Sequence, residues 1–262
     1  MLEVIDKGHC SDAHPTPVLF VHGALHAAWY WDEHFLNFFA DNGYRVLALS
    51  LRGHGGSPTS KRLRSCSIAD YVEDMCSVAD SLPATPLVIG HSVGGFIVQK
   101  YLETHRAPAG VLMASEPPRG HLRAALRSIG RDPWRSARSM ISDKPSILFN
   151  TPDLARESFF CAHTHESIVA HTTARLQEEC PRALNLDTTF FNLVKFKYAT
   201  TPLLVLGAGE DGTYSPAEVR ETAPAYHTEA EFFPGMGHDM MLDDGWSAVA
   251  DRIHTWLGTH GL

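Results

Sequence analysis

Short runs of consecutive apolar residues alternate with longer stretches whose apolar residues recur every three or four positions through the first 115 residues of the chain. Val18 to Val21, Val46 to Leu49, Leu87 to Ile89 and Val111 to Ala114 read as strands, and Leu2 to Ile5 as a weaker leading strand. Trp31 to Ala40, Ile68 to Leu82 and Val93 to His105 have the spacing of helices that cover a sheet. Such alternation predicts βαβ crossovers, and therefore an α/β fold whose mostly parallel sheet is flanked by helices on both faces.

The alternation breaks after Glu116. Pro117, Pro118 and Gly120 open a stretch that continues to Ala199 with helical runs but no convincing strand. Residues 117–199 therefore read as a helical insertion into a core formed by residues 1–116 and 200–262. The insertion carries Arg119, Arg123, Arg127, Arg131, Arg135 and Arg138, interrupted by Asp132 and Asp143 and expected to form a solvated face. Its aromatics are Phe159, Phe160, Phe190, Phe191 and Phe196. Strand and helix signals then return in Leu203 to Leu206, Pro216 to Thr222, Glu229 to Phe233 and a closing amphipathic helix from Trp246 to Leu257.

Composition narrows the functional classes. Of 262 residues, 22 are basic and 30 acidic, for a net charge of −8 with no basic block, so neither a nucleic-acid nor an anionic-membrane surface has an electrostatic footprint in the sequence. The longest apolar runs fall far short of the roughly 20 residues that span a bilayer. Met1 to Cys10 lacks the basic-then-apolar order of a secretion signal, which predicts a cytoplasmic chain. Cys10, Cys66, Cys76, Cys161 and Cys180 are odd in number and form no C-x-x-C pair, so reduced thiols are expected rather than a disulfide framework or zinc site. His163, His165 and His171 near Glu166 match no metal-ligand spacing and are expected on exposed helix surface.

The sharpest chemical signal is Gly90-His91-Ser92-Val93-Gly94-Gly95, placed between a strand and a helix. A serine at such a tight turn is presented at the sheet edge, with the flanking glycines allowing close backbone approach. A neutral hydroxyl is a weak nucleophile. It needs an imidazole to take its proton and a carboxylate to orient that imidazole. His238, in the glycine-rich loop Phe233 to His238, is the candidate base, and Asp211, after the apolar run Leu203 to Leu206, is the preferred acid, with Glu210 and Glu116 as rivals. The chain order Ser, Asp, His is the one a nucleophile elbow requires. Backbone amides of Val93 and of Ala24, in His22-Gly23-Ala24-Leu25, are the candidate oxyanion donors, while His22 is expected to brace its loop.

These motifs together resemble the α/β-hydrolase superfamily over essentially the whole chain, including Arg52-Gly53-His54-Gly55-Gly56-Ser57 and an insertion where that family carries its cap. The resemblance implies a serine nucleophile, acid and base at Ser92, Asp211 and His238. Two positions depart from the pattern: Ser50 stands where many members have aspartate, and the proline after the acid falls at Pro216. The segment His22 to Trp31 is also similar to that of plant methylesterases and the related hydroxynitrile lyases. Gly23 and Met240 lean toward the esterases, since the lyases place threonine at the glycine and lysine after the base, where this chain has Asp239.

The expected activity is hydrolysis of a carboxylic ester of a small or medium-sized molecule through an acyl-enzyme, with no cofactor and no metal. The aromatics of the insertion could line an apolar acyl pocket or simply pack the insertion on the core. A thioesterase, a C–C bond hydrolase or a hydroxynitrile lyase would use the same triad, and a binding module that retained the fold would use none of it. A homodimer is left open by the sequence.

Overall fold

A computed structural model describes residues 1–191, 193–195 and 200–262; Phe196 and the insertion's predicted last residue, Ala199, lie outside the described residues. The core is a sheet of seven strands: β1 (Val4–Lys7), β2 (Val18–Val21), β3 (Val46–Leu49), β4 (Leu87–His91), β5 (Gly110–Met113), β6 (Leu203–Ala208) and β7 (Ala230–Phe233). Their spatial order is β1-β3-β2-β4-β5-β6-β7, with β1 antiparallel to β3 and every other pair parallel. All residues of β2 to β6 are buried, as strands covered on both faces must be. The apolar side chains on the two faces of the sheet belong to two separate core clusters.

The strand order reverses between β2 and β4, because the chain passes from β2 to β3 on one side and β4 lies on the other. In open α/β sheets this switch point, at the carboxyl ends of the strands, is where ligands bind. The loop at Ala24 follows β2 and the turn at Ser92 follows β4, so both open at that crevice.

Most predicted elements are present with edges moved by a few residues. β1 lies two residues later than the leading strand expected at Leu2 to Ile5; only Val4 to Lys7 pair with β3. The single helix expected at Trp31 to Ala40 is two pieces, α1 (Trp29–Asp32) and α2 (Phe35–Asp41), because the backbone at His34 leaves the helical region. Both pieces still bury their apolar face, so the periodicity survives the break. Next, α3 (Ile68–Ala79) starts on a capping box in which the Ser67 side chain accepts from the Asp70 amide and Asp70 accepts from the Ser67 amide. Helix α4 (Val93–Tyr101) follows Ser92 directly.

Between β5 and β6 the described chain forms α5 (Leu122–Arg131), α6 (Pro133–Ser142), α7 (Pro152–Phe159), α8 (Glu166–Arg175) and a π-helix, Arg182–Phe191. The arginines here are less free than their sequence suggests. Arg127 pairs with Glu218 at 2.7 Å, Arg123 with Glu221 at 2.9 Å and Arg131 with Glu157 at 3.6 Å, so α5 is pinned to the region after β6 and to α7. A buried pair adds a second anchor: His54 Nε2 lies 3.2 Å from Glu179 Oε2. Tyr71 Oη and the Cys180 amide donate to the same carboxylate at 2.8 and 2.6 Å. Burial opposes ionisation of Glu179, but His54 and these donors override it and hold the carboxyl down to about 2.

After β6, α9 (Pro216–Thr222) begins with Ser215 and Glu218 in another capping box and Pro216 at its first position. This accounts for the place of Pro216: it starts the helix after the acid loop. The closing helix, α10 (Trp246–Thr259), runs two residues beyond the expected end at Leu257. All five cysteines are free thiols.

Candidate active site

Ser92 occupies φ +54°, ψ −125°, a backbone conformation that L-residues adopt at a cost of about 1–3 kcal/mol and that the surroundings must enforce. The enforcement is visible in the hydrogen bonds of the turn. The Ser92 amide donates to Met113 O on β5, and Ser92 O accepts from the amides of Gly95 and Glu116. Helix α4 is pressed against the end of β2: a Cβ on Gly94 would lie 2.4 Å from Val21 O and His22 O, so no larger residue fits without moving the turn.

His238 reaches the same edge from the loop after β7. Its Nδ1 is 2.9 Å from Asp211 Oδ2, with both side chains buried. Asp211 is itself held by the amides of Thr213 and Tyr214, which donate to Oδ1 at 2.7 and 2.8 Å. Two backbone bonds, Gly209 N–H to Phe233 O and Glu210 N–H to Met236 O, tie the acid loop to the histidine loop. Burial alone would make His238 less basic; Asp211, with Asp239 behind it, outweighs burial and raises its basicity above the ordinary histidine value. Ser92 and His238 line one cavity of about 310 Å³ without a hydrogen bond between them. Such bonds often tighten only when substrate is present.

The rival acids fall elsewhere. Glu210 is exposed. Glu116 is buried behind the site, where Tyr214 Oη donates to it at 3.1 Å and His121 lies 3.8 Å away, and no hydrogen bond or ion pair joins it to His238. Burial pushes its carboxyl up to about 8, so at neutral pH it is mostly protonated.

The amides of Ala24 and Val93 donate to no protein acceptor among the described residues. Ala24 itself lines the cavity, and Val93 directly follows Ser92, which also lines it. The Ala24 side is fixed by three contacts: Gly23 N–H donates to Tyr30 Oη at 2.7 Å, Leu25 N–H to Glu179 Oε2 at 3.3 Å, and His26 Nδ1 to Ala24 O at 2.8 Å. His22 braces the loop as expected, its Nδ1 donating to Gly23 O and its Nε2 accepting from the Leu51 amide at 2.9 Å. Burial lowers it to about 3, so it is neutral. At the departure from the family pattern, Ser50 Oγ accepts from the Ala28 amide and donates to Glu3, which also accepts from the Gly56 amide at 3.0 Å. The carboxylate that steadies this loop therefore comes from the amino-terminal segment, a pairing that residue spacing does not reveal.

Sequence reasoning also missed a polar layer beneath His238. His91 Nε2 donates to His238 O at 2.9 Å, and Tyr30 Oη donates to His91 Nδ1 at 3.2 Å. Burial lowers His91 to about 3, consistent with the neutral tautomer these bonds need. Asp239 is fully buried, 3.2 Å from His26 Nε2, with neither carboxylate oxygen in a well-formed hydrogen bond. Burial pushes its carboxyl up, but the imidazoles of His26, His91 and His238 reverse this and hold it below the ordinary range. His91, His238 and Asp239 form the only group of potential metal ligands among the described residues. Two of their ring nitrogens are already engaged in hydrogen bonds, His238 Nδ1 with Asp211 and His91 Nε2 with a carbonyl. His165 caps α8 by accepting from the Ser167 amide, and His171 lies by Glu33; both are exposed, as expected.

Aromatics divide between lining and packing. Phe159 and Phe190 line the cavity, joined by Phe149, which the sequence did not single out. Phe160 is buried packing and Phe191 is exposed. A roomier, open groove beside β1, bounded by Leu2, Arg45, Arg52 and Leu82, holds none of Ser92, Asp211, His238, Ala24 or Val93.

A sheet with this strand order, a strained serine turn and an Asp–His pair at the switch point define a hydrolase of the α/β type. The model of the Alpha/beta hydrolase family matches residues 18–252, and the chain belongs to that family. It is 36% identical over 114 residues to a non-heme chloroperoxidase of Burkholderia pyrrocinia, a match spanning 39% of this chain and 38% of that protein. It is 27% identical to a monoacylglycerol lipase of Mycolicibacterium smegmatis, covering 93% of this chain and 88% of the lipase. A thermophilic esterase from Thermogutta terrifontis shares the fold with a TM-score of 0.77, at 18% identity and over 100% of this chain and 94% of the esterase.

Proposed function

We propose that the chain hydrolyses carboxylic esters of small or medium-sized molecules through an acyl-enzyme on Ser92. The observation that carries this is the 2.9 Å bond from His238 Nδ1 to Asp211 in the wall of the cavity that Ser92 also lines. His238 takes the Ser92 proton on Nε2 as Oγ attacks the acyl carbonyl, and the Ala24 and Val93 amides receive the oxyanion. Each such donor contributes roughly 2.7–4 kcal/mol to the transition state. Collapse of the tetrahedral intermediate breaks the C–O bond, and the proton on His238 leaves with the alcohol. A water then gives its proton to His238, attacks the acyl-enzyme and releases the acid, returning the proton to Ser92. The insertion acts as a cap whose Phe149, Phe159 and Phe190 receive the acyl group.

Gly23 supports hydrolysis over the lyase alternative. A Cβ there would stand 2.9 Å from His91 Nδ1 and 3.0 Å from Ser92 Cβ, so this backbone has no room for the threonine of the lyases. The test combines fluorophosphonate labelling, peptide mapping and a panel of p-nitrophenyl esters of rising chain length. Labelling confined to Ser92 and ester turnover abolished in Ser92→Ala are the expected results. Full turnover by Ser92→Ala would overturn the reading, while faster release from thioesters or cyanohydrins than from any ester would redirect it within the family.

A further inference from the structure

Among the described residues, every exposed large apolar side chain except Met1 lies between Leu122 and Leu193, within the insertion. Such crowding is unusual for a monomer surface and marks an interaction site. On α5, Leu122, Leu126 and Ile129 follow an i, i+4, i+7 stripe that both lines the cavity and stays open to solvent. On α6, Trp134, Arg138 and Ile141 repeat that spacing, so one face presents an aromatic, a guanidinium and an aliphatic side chain, with Trp134 84% and Ile141 87% exposed. The acids nearest this face are engaged: Asp132 with Arg135 at 3.2 Å and Asp143 with Arg64 at 3.6 Å. Arg138 has no ion-pair partner among the described residues. Residues 117–199 hold twelve Lys and Arg against eight Asp and Glu, whereas the chain as a whole is acidic.

We propose that this rim docks the protein on an anionic lipid surface, with α6 lying at the interface and the cavity mouth opening toward the lipid. Tryptophan and aliphatic side chains insert at the boundary between headgroups and acyl chains, and arginine extends to the phosphates. Arg138, the guanidinium of this face that pairs with no carboxylate among the described residues, favours anionic headgroups. Continuity with the cavity selects this occupant over a second copy of the chain. Leu122, Leu126 and Phe190 are rim and lining at once, so a protein seated on them would plug the entrance, whereas a lipid surface can pass a single ester chain through it. That last step rests on the hydrolase reading; the docking itself does not.

Docking is measured by co-sedimentation of the full-length Ser92→Ala chain with phosphatidylcholine vesicles, with and without phosphatidylglycerol, so that no lipid is consumed and failure of the hydrolase reading leaves the outcome intact. Partition into the anionic vesicles should exceed that into phosphatidylcholine by about tenfold, and fall by about tenfold or more in a Trp134→Ser, Ile141→Ser, Phe191→Ser variant. None of these three side chains lines the cavity, so in the Ser92 background the triple variant should hydrolyse a water-soluble monomeric ester at the native rate. Arg138→Gln should weaken only the anionic preference. No partition into either vesicle, or equal partition into both, would overturn the proposal. So would a dimer in sedimentation velocity that the triple variant dissolves, since a second copy would then be the occupant.

Discussion

The two walls of the cavity follow different rules. On the sheet side, polar groups interlock: Asp211 is gripped by two amides, His238 by Asp211 through its ring and by His91 through its carbonyl, and Ser92 by β5. On the insertion side the lining is mainly apolar and much of it also faces solvent, with one segment in a π-helix. Proton transfer and oxyanion binding need atoms placed to a few tenths of an ångström, and buried hydrogen bonds supply that placement. An acyl chain would need apolar area without a fixed register, which the side chains of this wall offer. The polar wall is therefore fixed at several points at once, while the apolar wall is defined by its surface more than by particular bonds.

The largest effect should come from breaking the sheet wall at its acid. Asp211→Asn leaves the packing intact but holds His238 in the wrong tautomer, and kcat on a monomeric p-nitrophenyl ester should drop by about 10⁴. Glu116→Gln should stay within about tenfold of the native value, because its carboxyl is already mostly neutral and bonds neither Asp211 nor His238. A reversed order would transfer the acid's role to Glu116.

Next in size is the join between the walls. Glu179 sits in the insertion, pairs with His54 of the core and accepts from Leu25 beside the Ala24 amide. Glu179→Gln leaves His54 without a counter-charge, and removing one partner of a buried pair costs about 3–5 kcal/mol. The pH dependence has a definite sign. Glu179 is depressed from 4.5 to about 2, so its contribution is present above pH 4.5 and lost as the pH falls toward 2. Despite its burial, His54 is raised above 6.5 by Glu179, so its contribution is complete below pH 6.5 and lost above its folded value. Urea denaturation should show the difference between native and Glu179→Gln widest between those limits; a difference independent of pH would exclude the ion pair as its source.

The same division explains what the sequence disclosed. β2 to β6 were legible because each is a short apolar run closed by a turn, and Ser92, Asp211 and His238 stood out as candidates because each lies just past a strand end. β1 was placed two residues early because its pattern is weak, with one exposed and three half-buried residues. In the insertion the arginine spacing predicted solvation, yet Arg127 bonds Thr213 O at 2.6 Å and pairs with Glu218. Local periodicity carries no information about such distant partners. Phe190 lines the cavity from a π-helix, whose repeat differs from the spacing by which helices were sought. His26 and Asp239 are buried as a pair from positions more than 200 residues apart, and the local sequence around neither of them reveals that partner.

Asp239 gives the finest test. Its carboxylate stands behind His238 and adds to Asp211 in raising the imidazole's basicity. Ester attack requires neutral His238, so kcat/KM should rise with pH along a limb centred above 6.5. Asp239→Asn removes the more distant charge and keeps the shape, so the limb should move to lower pH by about half a unit, with little loss on the plateau. Phe159→Ala, on the opposite wall, should raise KM for longer acyl chains and leave the limb where it is. An unmoved or rising limb in Asp239→Asn would show that Asp211 sets the base alone. A limb displaced by Phe159→Ala would show that the apolar wall, which packs its ring 6.2 Å from His238, tunes the proton as well as the substrate.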